Sequence, residues 1–334
     1  MNSKERLDAY TSGKTVDRRP NLTIVGSVVT QYGGMGVDTY CQNYRKMTES
    51  ARMAAHDLDL DYIQIASDLA REAEGYGSEL EFYPDKLPTV KRYALSDIAQ
   101  ARDIKPLKTR DIPRLLDMVK ATRAALEDED IYPMTLAVGP MTVAGNMRGV
   151  EDLLVDAYDD PESVEVLLNT VTSTTLDYID ELARVGARYM YVADPVASLV
   201  APAMYEDMVL PLHKRIFAHM ELMGIRGRLH MCGNTLRILP HSRDCGARIV
   251  DIDHAVDMDA ALNAADGHCI INGNIDPVAD VYSCDAMHTY EAILNCARQA
   301  GGRKAMFMPG CELPTDTALD NVRAIARALR EIGG

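Results

Sequence analysis

The chain has 334 residues, 47% of them hydrophobic and 25% charged, with a formal net charge of −15. That is enough apolar material for a globular core of ordinary composition, and a surface this acidic repels nucleic-acid phosphate and anionic lipid, so neither is an expected partner. The seven cysteines are scattered without framework spacing, which excludes a disulfide-stapled secreted scaffold; with no signal-like start and no apolar run approaching ~18 residues, a cytoplasmic protein away from membranes is expected.

Short apolar runs alternate with amphipathic stretches along the chain. The run Leu22–Gly26 reads as a first strand and is followed by helical periodicity over Tyr40–Leu58. After a second strand, Tyr62–Ala66, residues 70–92 break the alternation and read as a hairpin or lid excursion. The stretch Ile112–Ala125 then sets Ile112, Leu115, Leu116, Met118 and Val119 on one helical face. Strands follow at Met134–Val138, Tyr189–Ala193, Gly227–His230, Ile249–Ile252, Cys269–Asn272 and Ala305–Met308. Helical stretches are expected at Ser163–Arg184, Pro202–Met223, Thr235–Cys245, Met258–Ala265, Ala286–Ala300 and Leu319–Ile332.

Parallel neighbours need crossover connections, so eight strands alternating with helices predict an α/β fold, and eight is the number that closes a barrel. The expectation is a (β/α)8 TIM barrel formed as a single domain over residues 1–334. A doubly wound open sheet is the alternative. It lacks support after the first strand, where YGGMG at Tyr32–Gly36 has the wrong spacing for a dinucleotide fingerprint and reads as a loop.

The unusual polar residues fall at the carboxyl ends of these strands. Asp68, Asp194, His230, Cys232, Asp251, Asp253, Asn272, Asn274, Cys311 and Glu312 would all reach one rim, the face on which barrel enzymes build active sites. Within LHMCG, His230 and Cys232 are two apart on a strand and can face one ion together. Cys311 leaves the last strand in MPGCE. An imidazole and two thiolates are good zinc ligands, and three protein ligands with one open position suit a catalytic zinc. The cysteines at 41, 245, 269, 284 and 296 read as packing residues. Asp194 and Asp253 could orient ligands, or merely cap helices and loops. The histidines at 213, 219, 241, 268 and 288 read as surface or packing residues, with His254 left open.

Four segments make the chain recognisable: LHMCGNTLRIL at 229–239, IVDIDHAVDM at 249–258, INGNIDPV at 271–278 and MPGCELPTDTALDNVRAI at 308–325. They resemble the uroporphyrinogen decarboxylase superfamily, and within it the zinc-dependent, corrinoid-linked methyltransferases. The opening KERLDAYTSGKTVDRRP at 4–20 and the segment at 191–216 extend the likeness over nearly the whole chain. The resemblance implies a (β/α)8 barrel with His230, Cys232 and Cys311 as zinc ligands. Asp194, Asp253 and Glu312 are the expected catalytic residues, and Asn272 and Asn274 the expected cofactor-binding ones.

The decarboxylases act on a porphyrinogen bearing many carboxylates, and SVVTQYGGMG after the first strand offers no arginine for it. The leading expectation is methyl transfer from a small methylated donor, such as a methoxylated aromatic, to the Co(I) corrinoid (cobalamin) of a partner protein. No corrinoid domain is expected within the chain, so the corrinoid should arrive on the partner. The alternative is a methylcobamide:thiol methyltransferase of the coenzyme M type. A metal-independent decarboxylase-like enzyme or a non-catalytic ligand-binding barrel would leave the rim cluster without its metal chemistry.

Overall fold

Seven short strands lie side by side in chain order, every pairing parallel: β1 (Ile63–Ile65), β4 (Pro133–Val138), β5 (Tyr189–Ala193), β6 (Arg226–His230), β7 (Ile249–Asp251), β8 (Ile270–Asn272) and β9 (Ala305–Met306). The computed structural model describes residues 1–334. All residues of these strands are buried except Arg226, as expected of parallel strands covered by crossover helices. The result is an α/β fold built on a parallel, half-barrel sheet.

The excursion after β1 is an antiparallel hairpin of β2 (Glu79–Glu81) and β3 (Thr89–Arg92), separate from the main sheet. Most other expected strands and helices recur with shifted ends, and Met258–Ala265 and Leu319–Ile332 fall where the periodicity put them. The expected helix at Thr235–Cys245 shrinks to Leu239–Ser242.

The expected strand at Leu22–Gly26 is a departure. Leu22, Ile24 and Val25 are buried, but residues 21–25 form no strand and Gly26–Val29 is a 3-10 turn. The reason lies in its hydrogen bonds. The N–H groups of Val25 and Gly26 donate to the side-chain Oε1 of Gln64 at 3.0 and 3.3 Å, so no backbone ladder repeats there. Single backbone bonds still join the segment to residues flanking the edge strands, from Asp61 N, just before β1, to Asn21 O at 2.9 Å and from Leu313 N, in the loop after β9, to Ile24 O at 3.2 Å. Beneath them Asp61, 0% exposed, accepts from Arg6 and Arg18 at 2.6 Å each, and ties the amino-terminal segment to the start of β1.

The helix Pro140–Arg148 had no counterpart in the sequence reading. Its start is held by Asp194, from the end of β5. Asp194 Oδ1 accepts from the backbone N–H and hydroxyl of Thr142 at 2.8 and 2.7 Å, and Oδ2 from Met141 N at 3.3 Å. His213 donates Nε2–H to Oδ2 at 3.0 Å and meets the Tyr205 hydroxyl through Nδ1 at 3.0 Å. Gly139 makes this approach possible, since a Cβ there would lie 2.2 Å from that of Asp194. Asp194→Ala would strand several buried donors at once, an expected cost of about 2–4 kcal/mol in urea unfolding. Zinc content per chain should be unchanged, measured by metal analysis on the same sample.

Candidate metal centre

Alternation along β6 puts Arg228 and His230 on the same side of the strand. Arg228 is 1% exposed, its guanidinium 5.9 Å from the ring centre of Tyr62 and 5.7 Å from that of Tyr191. It donates Nε–H to Asp251 at 2.9 Å and sets Nη2 2.8 Å from Oδ2. Asp251, at the end of β7, also accepts from His230 Nδ1 at 2.9 Å and from Asn272 Nδ2 at 2.8 Å. With Nδ1 occupied, the Nε2 of His230 is the nitrogen left for a ligand.

That nitrogen lies 3.2 Å from Cys232 Sγ and 3.9 Å from Cys311 Sγ, and the two sulfurs are 3.1 Å apart. A disulfide would need about 2.05 Å, so both thiols are free. Bonds of 2.0–2.3 Å in a tetrahedral zinc site set neighbouring ligands roughly 3.5–3.8 Å apart. The three donors sit close to that spacing, and the carboxylate behind His230 is the usual support of a zinc-bound imidazole. The residues present therefore fit a zinc ion.

Cys311 reaches the centre because the Pro309–Gly310 turn crosses the loop after β7 at close range. A Cβ on Gly310 would lie 2.6 Å from the backbone nitrogen of His254 and 2.7 Å from Cα of Asp253. Asp253 holds the other side of this junction. Its Oδ2 accepts from Gly233 N at 2.6 Å, beside Cys232, while Oδ1 accepts from His254 N and Nδ1 at 2.7 and 2.8 Å. Glu312 turns the opposite way, accepting from Ser27 N at 3.1 Å through the space that Gly26 leaves open at φ +50°.

The proton affinities follow from this crowding. Cys311 is pushed down to about 5, first by the hydrogen bond from Cys232 and then by His230, against its burial. Cys232 moves up by the same hydrogen bond and by burial. Burial opposes the charge on His230, yet its bonds to Asp251 and Cys311 raise it to about 9. Burial, reinforced by the charge of Cys311, lifts Glu312 to about 7.

A narrow cavity of about 90 Å³ opens onto the three ligands, its wall beside them formed in large part by apolar groups such as Ile24, Leu69, Leu136 and Ala193. Glu312 lines it, as do Gln64 and Asp68. Leu87, carried on the loop between β2 and β3, forms part of its wall. The loop at 32–36 does not line it but braces the hairpin, with Gly36 against Pro84.

Asp194 and Asp253 lie outside the lining: their carboxylates are taken up by the helix and loop contacts described above, which makes them positioning groups. Asn272 is buried beneath the centre on Asp251, and Asn274 faces a neighbouring acidic groove. Arg228 and Gln64 were overlooked in the sequence. The R-x-H-x-C alternation at 228–232 was the available signal for Arg228.

The profile of the uroporphyrinogen decarboxylase (URO-D) family matches residues 2–332. The chain belongs to this family. Among its relatives, a methylated-thiol–coenzyme M methyltransferase of Methanosarcina mazei is 25% identical, over 99% of this chain and 90% of its own. A uroporphyrinogen decarboxylase of Thermodesulfovibrio yellowstonii is 22% identical over 88% and 86%. A methylcobamide:CoM methyltransferase of Methanosarcina mazei is 25% identical over 84% of each chain. In fold, the chain superposes on a methyltransferase from Methanosarcina mazei with a TM-score of 0.85 at 19% identity, over 99% of both chains.

Asp251→Asn should weaken zinc binding about 10- to 100-fold, since the support of His230 is lost; competition with a chromophoric chelator reads this. In the parent protein His230 Nε2 must shed its proton before it can bind metal. The proton competes at every pH below about 9, so zinc affinity should fall as pH drops from 8.5 to 6.5. Gly310→Ala should lower zinc content by displacing Cys311, with the circular dichroism spectrum retained.

Proposed function

We propose that the chain is a zinc-dependent methyltransferase that moves a methyl group between the sulfur of a small thiol and the corrinoid of a partner protein, on a (β/α)8 barrel acting as a single domain. The observation that carries this reading is the convergence of His230, Cys232 and Cys311 at the mouth of one narrow cavity. Family membership and relatives named for methyl transfer to or from thiols support it. Support for a closed barrel comes from the backbone bonds of residues 21 and 24, which reach Asp61, just before β1, and Leu313, in the loop after β9.

Zinc held by these three residues would supply a Lewis acid that keeps a sulfur substrate in its thiolate form near neutral pH. The remaining tasks fall to the chain. Arg228 and Asp251 fix the imidazole, Asp253 and Gly310 hold the two cysteine loops together, and the apolar wall keeps water from the sulfur. In methylation a thiol and a methyl–Co(III) corrinoid give a thioether, Co(I) and one proton. Demethylation is the reverse and consumes a proton. Glu312, lining the cavity with its carboxyl raised to about 7, is suited to hold that proton in either direction. The methoxylated aromatic gives way here to a methylated thiol, on the strength of the relatives' names. A decarboxylase reading is disfavoured because no arginine or lysine lines the cavity.

Zinc-loaded protein incubated without oxygen with methylcobalamin and a two-carbon thiol should release Co(I) and the thioether. Cys311→Ser should cut the rate at least about 100-fold while the fold persists. Turnover of uroporphyrinogen by metal-free protein, without methyl transfer, would replace this reading with the decarboxylase one.

A further inference from the structure

We infer that the small substrate is neutral or positively charged at the end remote from its sulfur, and that a sulfonate-bearing thiol is selected against. This rests on the methyltransferase reading above and narrows it. The observation is the charge inventory of the cavity. Asp68 and Glu312 both line it, and no lysine or arginine does.

Each guanidinium close behind the wall is paired with a carboxylate, although Arg71 Nε, Arg114 Nε and Arg228 Nη1 are buried without a hydrogen-bond partner. Arg114 is paired with Asp68 itself and with Glu74 at 3.0 Å. Arg71 is fully buried against Glu72 at 3.0 Å and the carbonyls of Asp68 and Leu136 at 3.2 and 2.6 Å. Arg228 is engaged by Asp251 at 2.8 Å. A dication among the three ligands would not change the balance, because both cysteines would bind it as thiolates and match its charge. Much of the rest of the wall is apolar, with Leu87 and Leu136 among its members, and Gln64 and Ser67 are among its neutral polar groups.

An anionic tail entering this space would be stripped of water and would meet carboxyl oxygens, with no lysine or arginine on the wall to replace its hydration. A hydroxyl could hydrogen-bond to Asp68, Glu312 or the amide of Gln64. An ammonium group would gain a charge-assisted bond to a carboxylate. Coenzyme M, named for the relatives, is a thiol that carries a sulfonate and would be disfavoured in this cavity.

The test uses three thiols of one length that differ only in the end group: 2-mercaptoethanol, 2-aminoethanethiol and 2-mercaptoethanesulfonate. Each is supplied to the zinc-loaded, full-length protein with methylcobalamin, and kcat/KM is read from thioether formation. The hydroxyl or amine thiol should exceed the sulfonate at least about tenfold. Asp68→Asn should free Arg114 from one of its two carboxylates and raise the sulfonate-to-amine ratio about tenfold, a ratio that partial loss of folded protein does not alter. A wild-type preference for the sulfonate overturns the inference while leaving the methyltransferase reading intact. Absence of transfer to all three removes that reading, and the inference with it.

Discussion

Arg228 and Asp251 lie 2.8 Å apart with 1% and 0% of their side chains exposed, so neither charge has water to turn to. Removing one partner of such a pair typically costs about 3–5 kcal/mol, because the other is left buried and uncompensated. Both partners are held in place: the rings of Tyr62 and Tyr191 lie near the guanidinium, and Asn272 donates to the carboxylate. Asp251 in turn fixes the ring of His230. The direction in which Nε2 points, and hence where a metal could sit, is set several residues below the rim.

Above this foundation the centre depends on close approach. Its three ligands come from two distant stretches of chain, and the turn carrying Cys311 meets the loop after β7 at a distance no side chain on Gly310 would permit. Asp253 closes the same junction by binding Gly233 N. Gly26 does the equivalent on the other wall, leaving the space that Glu312 fills. Packing this tight places two thiols and an imidazole within 4.8 Å of one another. Their proton affinities then separate because so small a space cannot hold several like charges.

The acidity of the chain has a local counterpart in the cavity, where carboxyl groups face inward and the nearby arginines are all committed to partners. These arginines act as struts. They neutralise carboxylates and tie β1, β4 and β7 to what surrounds them, and none lines the cavity. The shape and charge of the space thus follow from the same ion pairs that stabilise the strand ends.

Some of this was determined by the sequence alone. Alternating apolar runs required parallel strands with crossovers, and the two-residue period of a strand put His230 and Cys232 on one side, because both features depend on local periodicity. Cys311 belonged with them because strand ends in such folds share a rim. Other features were decided only by the tertiary structure. Asp194 reads like any rim carboxylate, yet it is spent on Thr142 and His213, which lie far from it in the chain. Asn272 and Asn274 look like a pair, but one is buried under Asp251 and the other faces a different groove. The segment Leu22–Gly26 has a strand's composition and loses the strand to the side chain of Gln64. In each case the deciding contact joins groups tens of residues apart or more, and no local pattern records which partner a polar group will find.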